Sequence, residues 1–283
     1  MDATRVLILG AHGQLGTALQ ALFPNGKYAD RDEFDITDPK TYQDFNWESV
    51  DVVINAAAYT AVDAAETPEG RLAAWLLNAT AVGLMADAAN EHDLTLVHVS
   101  SDYVFDGSHE KHGEHESFSP LGVYGQTKAA GDIAAARARK HYILRTSWVI
   151  GEGKNFVRTM AALAEKGVKP TVVGDQFGRL TFTADLADAI AFLLNQEAPY
   201  GTYNVTNEGD VVSWAQIAQA VFEAVGSKPD DVTAISTATY FADKPEAAPR
   251  PAHSTLDLKK ITELGFSPRD WRVALEEYMK ENR

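Results

Sequence analysis

In the stretch Gly122-Val123-Tyr124-Gly125-Gln126-Thr127-Lys128 a phenol and an ammonium stand four residues apart. On a helix the two share a face, close enough for the cation to reach the phenol. A tyrosine near its ordinary pKa of about 10 is a poor acid at neutral pH, and an adjacent positive charge lowers that value. The pair has the makings of a proton donor with its tuner, although a solvated helix face offers the same spacing with no chemistry at all. A second pattern, Gly10-Ala11-His12-Gly13-Gln14-Leu15-Gly16, spells G-x-x-G-x-x-G. Glycines so placed permit a tight turn, admit a pyrophosphate against the backbone and let a helix pack closely on a strand. The free N–H groups at a helix start then attract phosphate. Gly10, His12, Gly13, Gln14, Leu15 and Gly16 are the expected contacts of this turn.

These residues need elements to position them. Arg5 to Leu9 reads as a short buried strand, and Gln14 to Phe23 after the glycines as a helix. Further strands are expected at Asp51–Ala56, Leu94–Ser100 and His141–Thr146, with a helical Ala- and Leu-rich segment from Thr67 to His92. Strands alternating with helices imply parallel βαβ units, and continuous apolar runs imply strands covered on both faces. The expected fold class is α/β: a Rossmann-like doubly wound parallel sheet over residues 1–150, followed by a smaller substrate-binding lobe over 151–283, parts of which return to the first. Helices are expected at Asn155–Lys166 and Thr183–Asn195, an irregular proline-dotted stretch at Pro229–Pro251, and a last helix after Trp271. Tyr28-Ala29-Asp30-Arg31 should end the second strand. There Asp30 is placed to accept from the ribose hydroxyls of NAD and Arg31 to hold the 2′-phosphate of NADP, two opposed signals. Asp35 and Ile36 follow, an acid and an aliphatic group able to bracket an adenine.

With 283 residues, 45% of them hydrophobic, the chain can bury a large core. A formal net charge of -15 argues against a nucleic-acid partner. The absence of cysteine excludes disulfides, thiolate metal sites and cysteine nucleophiles. The apolar run near the N-terminus is too short for a signal peptide, and no apolar run approaches a membrane span, so the expectation is a cytoplasmic protein with no membrane partner. His109, His112 and His115 in Ser-His-Glu-Lys-His-Gly-Glu-His-Glu are read as a solvated, mobile loop over the cleft, with no metal site expected.

The strings Ala57-Ala58-Tyr59-Thr60-Ala61-Val62-Asp63-Ala64-Ala65-Glu66 and Ser101-Asp102-Tyr103-Val104-Phe105-Asp106-Gly107 are more specific. With the Tyr124 to Lys128 pair and Arg145-Thr146-Ser147-Trp148-Val149, they closely resemble the dTDP-4-dehydrorhamnose reductases of the extended short-chain dehydrogenase superfamily. The resemblance continues through Lys154-Asn155-Phe156, Asp175-Gln176-Phe177-Gly178 and Arg250-Pro251, and the glycine spacing is that of the extended superfamily. It implies reduction of the C4 ketone of a dTDP-6-deoxyhexulose to dTDP-L-rhamnose with a nicotinamide hydride. The opposed signals of Asp30 and Arg31 lead us to expect use of both NADH and NADPH, with NADPH modestly preferred. Tyr124 would give a proton to the carbonyl oxygen, Lys128 would lower its pKa and hold the nicotinamide ribose, and Ser101 would polarise the carbonyl. Ala57, Ala58, Tyr59, Thr60 and Asn78 would border the cofactor, Asn78 supporting the lysine through backbone and water. Asp102, Trp148 and Asn155 would contact the sugar nucleotide, and Arg250, between two prolines, its phosphates.

A 4,6-dehydratase would need a glutamate after Asp102, where Tyr103 stands. An epimerase of the same superfamily shares the catalytic residues, and a catalytically silent regulatory subunit of the same fold has no need of Ser101, Tyr124 and Lys128 together. Some reductases of this type pair through a divalent ion, so monomer and homodimer both stay open.

Overall fold

The computed structural model describes residues 2–281. Its first half runs β1 (Val6–Leu9), α1 (Gln14–Leu22), β2 (Lys27–Ala29), α2 (Pro39–Asp44), β3 (Val52–Asn55), α3 (Pro68–Trp75), a π-turn over Leu76–Thr80, α4 (Ala81–Glu91), β4 (Thr95–Ser101), α5 (Val123–Ala135) and β5 (His141–Thr146). The second half contains β6 (Val149–Ile150), α6 (Phe156–Glu165), β7 (Thr171–Val173), β8 (Phe177–Gly178), β9 (Thr181–Phe182), α7 (Thr183–Asn195), β10 (Gly201–Asn204), β11 (Val212–Ser213), α8 (Trp214–Ala224), β12 (Thr233–Ile235), α9 (Thr237–Phe241), α10 (Lys259–Glu263) and α11 (Trp271–Glu281). Side-chain caps start several helices: Asp38 and Thr67 each precede a proline at the first helical position, and Ser213 forms a reciprocal box with Gln216.

The central sheet has six parallel strands in the order β10-β5-β4-β3-β1-β2. Alternation along each strand sends side chains to opposite faces. Val6, Ile8, Val52, Ile54, Val97 and Leu144 enter one buried cluster with residues of α1 and α7. Leu7, Leu9, Val53, Leu96 and Ile143 enter the other, with Val82, Met85 and Ala86 of α4. From β1 the sheet grows to one side through β2 and to the other through β3, and the crevice at that switch point is where open α/β sheets receive ligands.

The strand β10 and the helix α7 belong to this sheet layer although they lie well past residue 150. The second lobe is built on another core, with Val157, Ile217, Phe222, Trp271 and Leu275 among its members. The irregular 229–251 stretch carries β12, which pairs in parallel with β7, and the short α9. Helix continues from Pro68 to Glu91, 24 residues with a mean hydropathy of 1.4 over its most apolar window, against the expectation of no such span. Its length comes from joining α3, the π-turn and α4, and Ala81, Val82, Met85 and Ala86 bury its apolar face in the core, which identifies a core helix.

Candidate active site

At the end of β1 the backbone turns through Gly10 at φ +77°, and a Cβ there would lie 2.7 Å from the amide nitrogen of Ala57. A Cβ on Gly16 would lie 2.2 Å from the Gly10 carbonyl oxygen, so only glycine lets α1 start this close to the strand. Gly13 gives α1 no side-chain cap, which leaves its first-turn N–H groups to a phosphate. Beside the turn lies a cavity of about 310 Å³ lined by Gly10, Asp30, Arg31, Phe34, Ile36, Ala57 and Leu76 among others. A cradle that a Cβ would fill, open helix amides and an adjoining adenosine-sized cavity fit a dinucleotide.

Some of the expected contacts reach this site only through backbone. Leu15 is buried in the core, and the Gln14 side-chain oxygen accepts from the Gly151 N–H at 2.8 Å, bracing the second lobe instead. Asp30 accepts from the His12 N–H at 3.1 Å and pairs with the His12 ring. Arg31 is largely exposed and ion-pairs loosely with Asp35 at 3.6 Å. The Asp35 carboxyl is held below its ordinary range, first by the Thr37 hydroxyl at 2.6 Å, so this acid shapes its own turn, and Ile36 is buried below. Ala57 lines the cavity, Ala58 and Tyr59 are half-buried in the loop after β3, and Thr60 is exposed. The Asn78 side chain staples two segments. It accepts from Tyr59 N–H at 2.8 Å, donates to the Tyr59 carbonyl at 3.0 Å and donates to Thr127 Oγ1 at 3.1 Å. Its place in a π-turn is the device that aims it inward.

The chemistry gathers at the carboxyl end of β4. Ser101 Oγ accepts from Tyr103 N–H at 3.2 Å and donates to Asp102 Oδ1 at 3.1 Å. Helix α5 packs onto this turn at Gly125, where a Cβ would sit 2.2 Å from the Tyr103 carbonyl oxygen. That approach sets Tyr124 edge-on to Tyr103, ring centroids 5.4 Å apart. Burial pushes the Tyr124 phenol up to about 12, with the Ser101 hydroxyl opposing and Asp102 adding. Burial pulls Lys128 down to about 8 against the pull of Asp132. The expectation that Lys128 tunes the phenol is corrected in this state: Nζ donates to the Val99 carbonyl at 2.7 Å, and burial and the two neighbours set Tyr124. Asp102 is buried, its carboxyl is raised to about 6 by burial, and Oδ2 meets no protein partner in good hydrogen-bond geometry.

Three of the expected substrate contacts have other duties. Trp148, at φ +48°, stacks on Trp214 with centroids 3.8 Å apart, so one face of its indole is already covered. Asn155 is an N-cap: it accepts from Arg158 N–H at 3.0 Å and donates to the Gly151 carbonyl at 2.7 Å and to Tyr278 Oη at 2.8 Å. Arg250 is not a free cation, since it donates to Asp63 Oδ1 at 2.7 Å and to the Ala248 carbonyl at 2.8 Å. The histidine loop is solvated only in part: His109 and His115 are exposed, whereas His112 is fully buried and lies flat on Phe105, 4.7 Å between centroids.

Two residues missed at the sequence level stand in a string already singled out. Glu66 Oε1 accepts from Val123 N–H at 2.8 Å and caps α5, whose Gly122 has no side chain to do so. Asp63 accepts from both Arg250 and the Ala248 N–H. The string brackets α5 at one end and the second lobe at the other. The buried Arg145–Asp132 pair at 2.9 Å behind Lys128 was missed as well, because i+8 from the tyrosine carries no signal of its own.

Residues 4–283 match the family described as the RmlD substrate binding domain. The chain belongs to this family. A dTDP-4-dehydrorhamnose reductase of Aggregatibacter actinomycetemcomitans is 41% identical, the alignment covering 96% of this chain and 97% of that one. The crystal structure of a dTDP-4-dehydrorhamnose reductase from Bacillus anthracis in complex with NADP superposes with a TM-score of 0.89 at 34% identity, covering 98% and 99% of the two chains. A reductase of the same name from Clostridium acetobutylicum gives 0.88 at 36% identity, covering 98% and 99%. The family match and these alignments run through nearly the whole of this chain, from the glycine turn to the second lobe.

Proposed function

We propose that this protein is an NAD(P)H-dependent oxidoreductase that reduces the C4 ketone of dTDP-4-dehydrorhamnose to dTDP-L-rhamnose. The observation that carries the reading is the convergence of Ser101, Asp102, Tyr124 and Lys128 at the carboxyl end of β4, beside the switch-point crevice, in a chain that matches its family over residues 4–283. NADPH, when bound, supplies the hydride that arrives at C4 of the sugar. Gly10, Gly13 and the start of α1 would hold its pyrophosphate, and the cavity beside Asp30, Arg31 and Ile36 its adenosine. NADPH is the preferred cofactor and NADH the secondary one.

Tyr124 gives its proton to the carbonyl oxygen. An acid must be protonated before it can act, and a phenol held near 12 is fully protonated at neutral pH. Ser101, turning its one O–H from Asp102 Oδ1, donates to the same oxygen and stabilises the charge that develops there. Lys128, cationic below about pH 8, compensates the tyrosinate left behind. The Asp102 carboxyl, beside the Ser254 hydroxyl, accepts from a sugar hydroxyl, and Arg250 binds a phosphate of the sugar nucleotide by sharing or leaving Asp63. Trp148 offers its uncovered face to the sugar or the base. We assign residues 1–150 together with α7 and β10 to the cofactor lobe and most of the remainder to the substrate lobe, with the protein working in the cytoplasm.

The test is oxidation of NADPH followed optically with and without dTDP-4-dehydrorhamnose. Oxidation that depends on the sugar and yields dTDP-L-rhamnose is expected. NADPH binding with no turnover would favour a silent regulatory subunit of the same fold.

A further inference from the structure

The loop between β4 and α5 carries His109, His112 and Glu116 with their ligand atoms all within 4.8 Å of one another. His112 Nδ1 lies 2.8 Å from Glu116 Oε1 and 3.0 Å from Oε2, and His109 Nδ1 lies 3.3 Å from Oε1. The other nitrogen of His112, Nε2, is 3.2 Å from the backbone carbonyl of His253. An N–H at Nε2 satisfies that carbonyl, and the lone pair of Nδ1 is then turned on a carboxylate. Three lone-pair donors at such distances repel unless a positive centre lies among them.

From this geometry we infer a site for a first-row divalent metal ion, zinc foremost, ligated by His109 Nδ1, His112 Nδ1 and the Glu116 carboxylate. Around a tetrahedral zinc with bonds of about 2.0–2.1 Å, neighbouring ligand atoms stand about 3.3 Å apart, a little less when a carboxylate binds through both oxygens. The separations to Glu116 already fall in that range, and His109, with 68% of its side chain exposed, needs only a swing of its ring to close the third edge. Two imidazoles and a carboxylate suit zinc, cobalt or nickel over magnesium. The His253 carbonyl plays the outer-sphere part common to metal-bound histidine: it takes the N–H and fixes the tautomer. One coordination position stays open toward solvent.

Position in the fold gives the ion a structural task. The His112 ring lies on Phe105, four residues past Ser101. Its backbone N–H donates to the Thr255 carbonyl at 2.9 Å, and its carbonyl accepts from Asp257 N–H at 2.8 Å and Asn204 Nδ2 at 3.0 Å. A metal on His112 would clip the loop after β4 to the C-terminal segment and to β10, and so brace the wall behind Asp102.

The test uses the full-length protein stripped with a chelator and titrated with Co²⁺, then with Zn²⁺ in competition. One equivalent of Co²⁺ should bind with the visible absorption of a four-coordinate N/O site, be displaced by Zn²⁺ and resist excess Mg²⁺. Buried His112 is a poor first target because its loss threatens the fold, so the decisive variants are exposed His109→Ala and Glu116→Gln. Each should weaken Co²⁺ at least tenfold, and zinc should raise the melting temperature of the parent protein but not of His109→Ala. Absence of saturable binding, displacement by Mg²⁺, or binding that survives both substitutions would overturn the site.

Discussion

At the end of β4 the proposed catalytic residues are held by backbone packed on backbone: α5 meets the Tyr103 carbonyl at Gly125 and the π-turn carbonyl of Asn78 at Gly131, where added Cβ atoms would each come to 2.2 Å. At the rim of the second lobe the arrangement is looser. Arg250 reaches across the lobes to the partly exposed Asp63, and Lys244 rests on the exposed Tyr240 ring at 3.6 Å. Backbone contact tolerates almost no displacement, whereas an ion pair near solvent contributes on the order of 1 kcal/mol or less and re-forms with another anion. The contrast teaches a division of labour. Chemistry that must meet a reacting oxygen within a fraction of an ångström is fixed by packing, and the part that must open for a nucleotide sugar is fixed by exchangeable charges.

The largest effect that can test this contrast is removal of the acid. Tyr124→Phe keeps the ring against Tyr103 and loses only the hydroxyl, so turnover should fall by about a hundredfold or more while NADPH still binds. Near-normal turnover in single-turnover assays would take Tyr124 out of the mechanism and with it the idea that the rigid region is the catalytic one.

The rim should respond through binding. Arg250→Ala should raise the KM for the sugar nucleotide about ten- to a hundredfold, since a charge-assisted bond to phosphate contributes about 1.5–3 kcal/mol and each 1.4 kcal/mol is tenfold. Lysine at 250 should restore part of this, because it keeps the charge but not the fork. Calorimetry with dTDP checks the claim without turnover: unchanged affinity in Arg250→Ala would mean that Asp63 keeps its partner throughout and that Arg250 only latches the lobes.

A pH profile sharpens the catalytic side. Burial lowers Lys128 to about 8, so its ammonium is present below that pH and lost above it. The ordinary tyrosine range near 10 is not where activity should fail, because Tyr124 is pushed up rather than down. We expect kcat/KM in the free enzyme to decline above about pH 8, by about tenfold at pH 9. Stability runs in the same sense for Asp102. Its folded carboxyl is raised to about 6, so the stabilisation is full below the ordinary carboxyl range near 4 and is lost as pH rises through 6. Asp102→Asn should flatten that part of a melting-temperature profile.

How much of this was legible in the sequence follows the same division. The strands Val6–Leu9, Val52–Asn55 and His141–Thr146 were readable because each is a buried run, and the glycine turn because its spacing encodes close approach. Helix Thr183–Asn195 was readable to the residue, yet not its return to the first lobe, since burial against α1 is a property of the fold. Strand β10, Gly-Thr-Tyr-Asn, has no apolar run to announce it. Residues that bridge distant segments were the least visible: Asn155 looked like a sugar contact and is a helix cap, Trp148 found Trp214, and His112 looked solvated and is buried. Polar residues of the same type bind ligands or staple loops, and only the partner tells which.

The smallest expected effect lies at the cofactor's ribose, where the rigid turn meets an exposed cation. Asp30 is occupied by the His12 N–H, which weakens its hold on the ribose hydroxyls of NADH and leaves Arg31 to favour NADPH. Arg31 has 86% of its side chain in solvent and a 3.6 Å contact to Asp35, so its pull on a 2′-phosphate is screened. A screened surface pair contributes about 0.2–1 kcal/mol, which corresponds to about a one-and-a-half- to fivefold rise in the KM for NADPH in Arg31→Ala. The KM for NADH should stay unchanged, because that cofactor carries no 2′-phosphate for the guanidinium to meet. An equal rise for both would show that Arg31 acts by holding Asp35 and the adenosine wall in place. A rise well beyond tenfold would mean that the cation is desolvated when the cofactor is in place, and that this corner closes on its ligand as firmly as the end of β4 holds Tyr124.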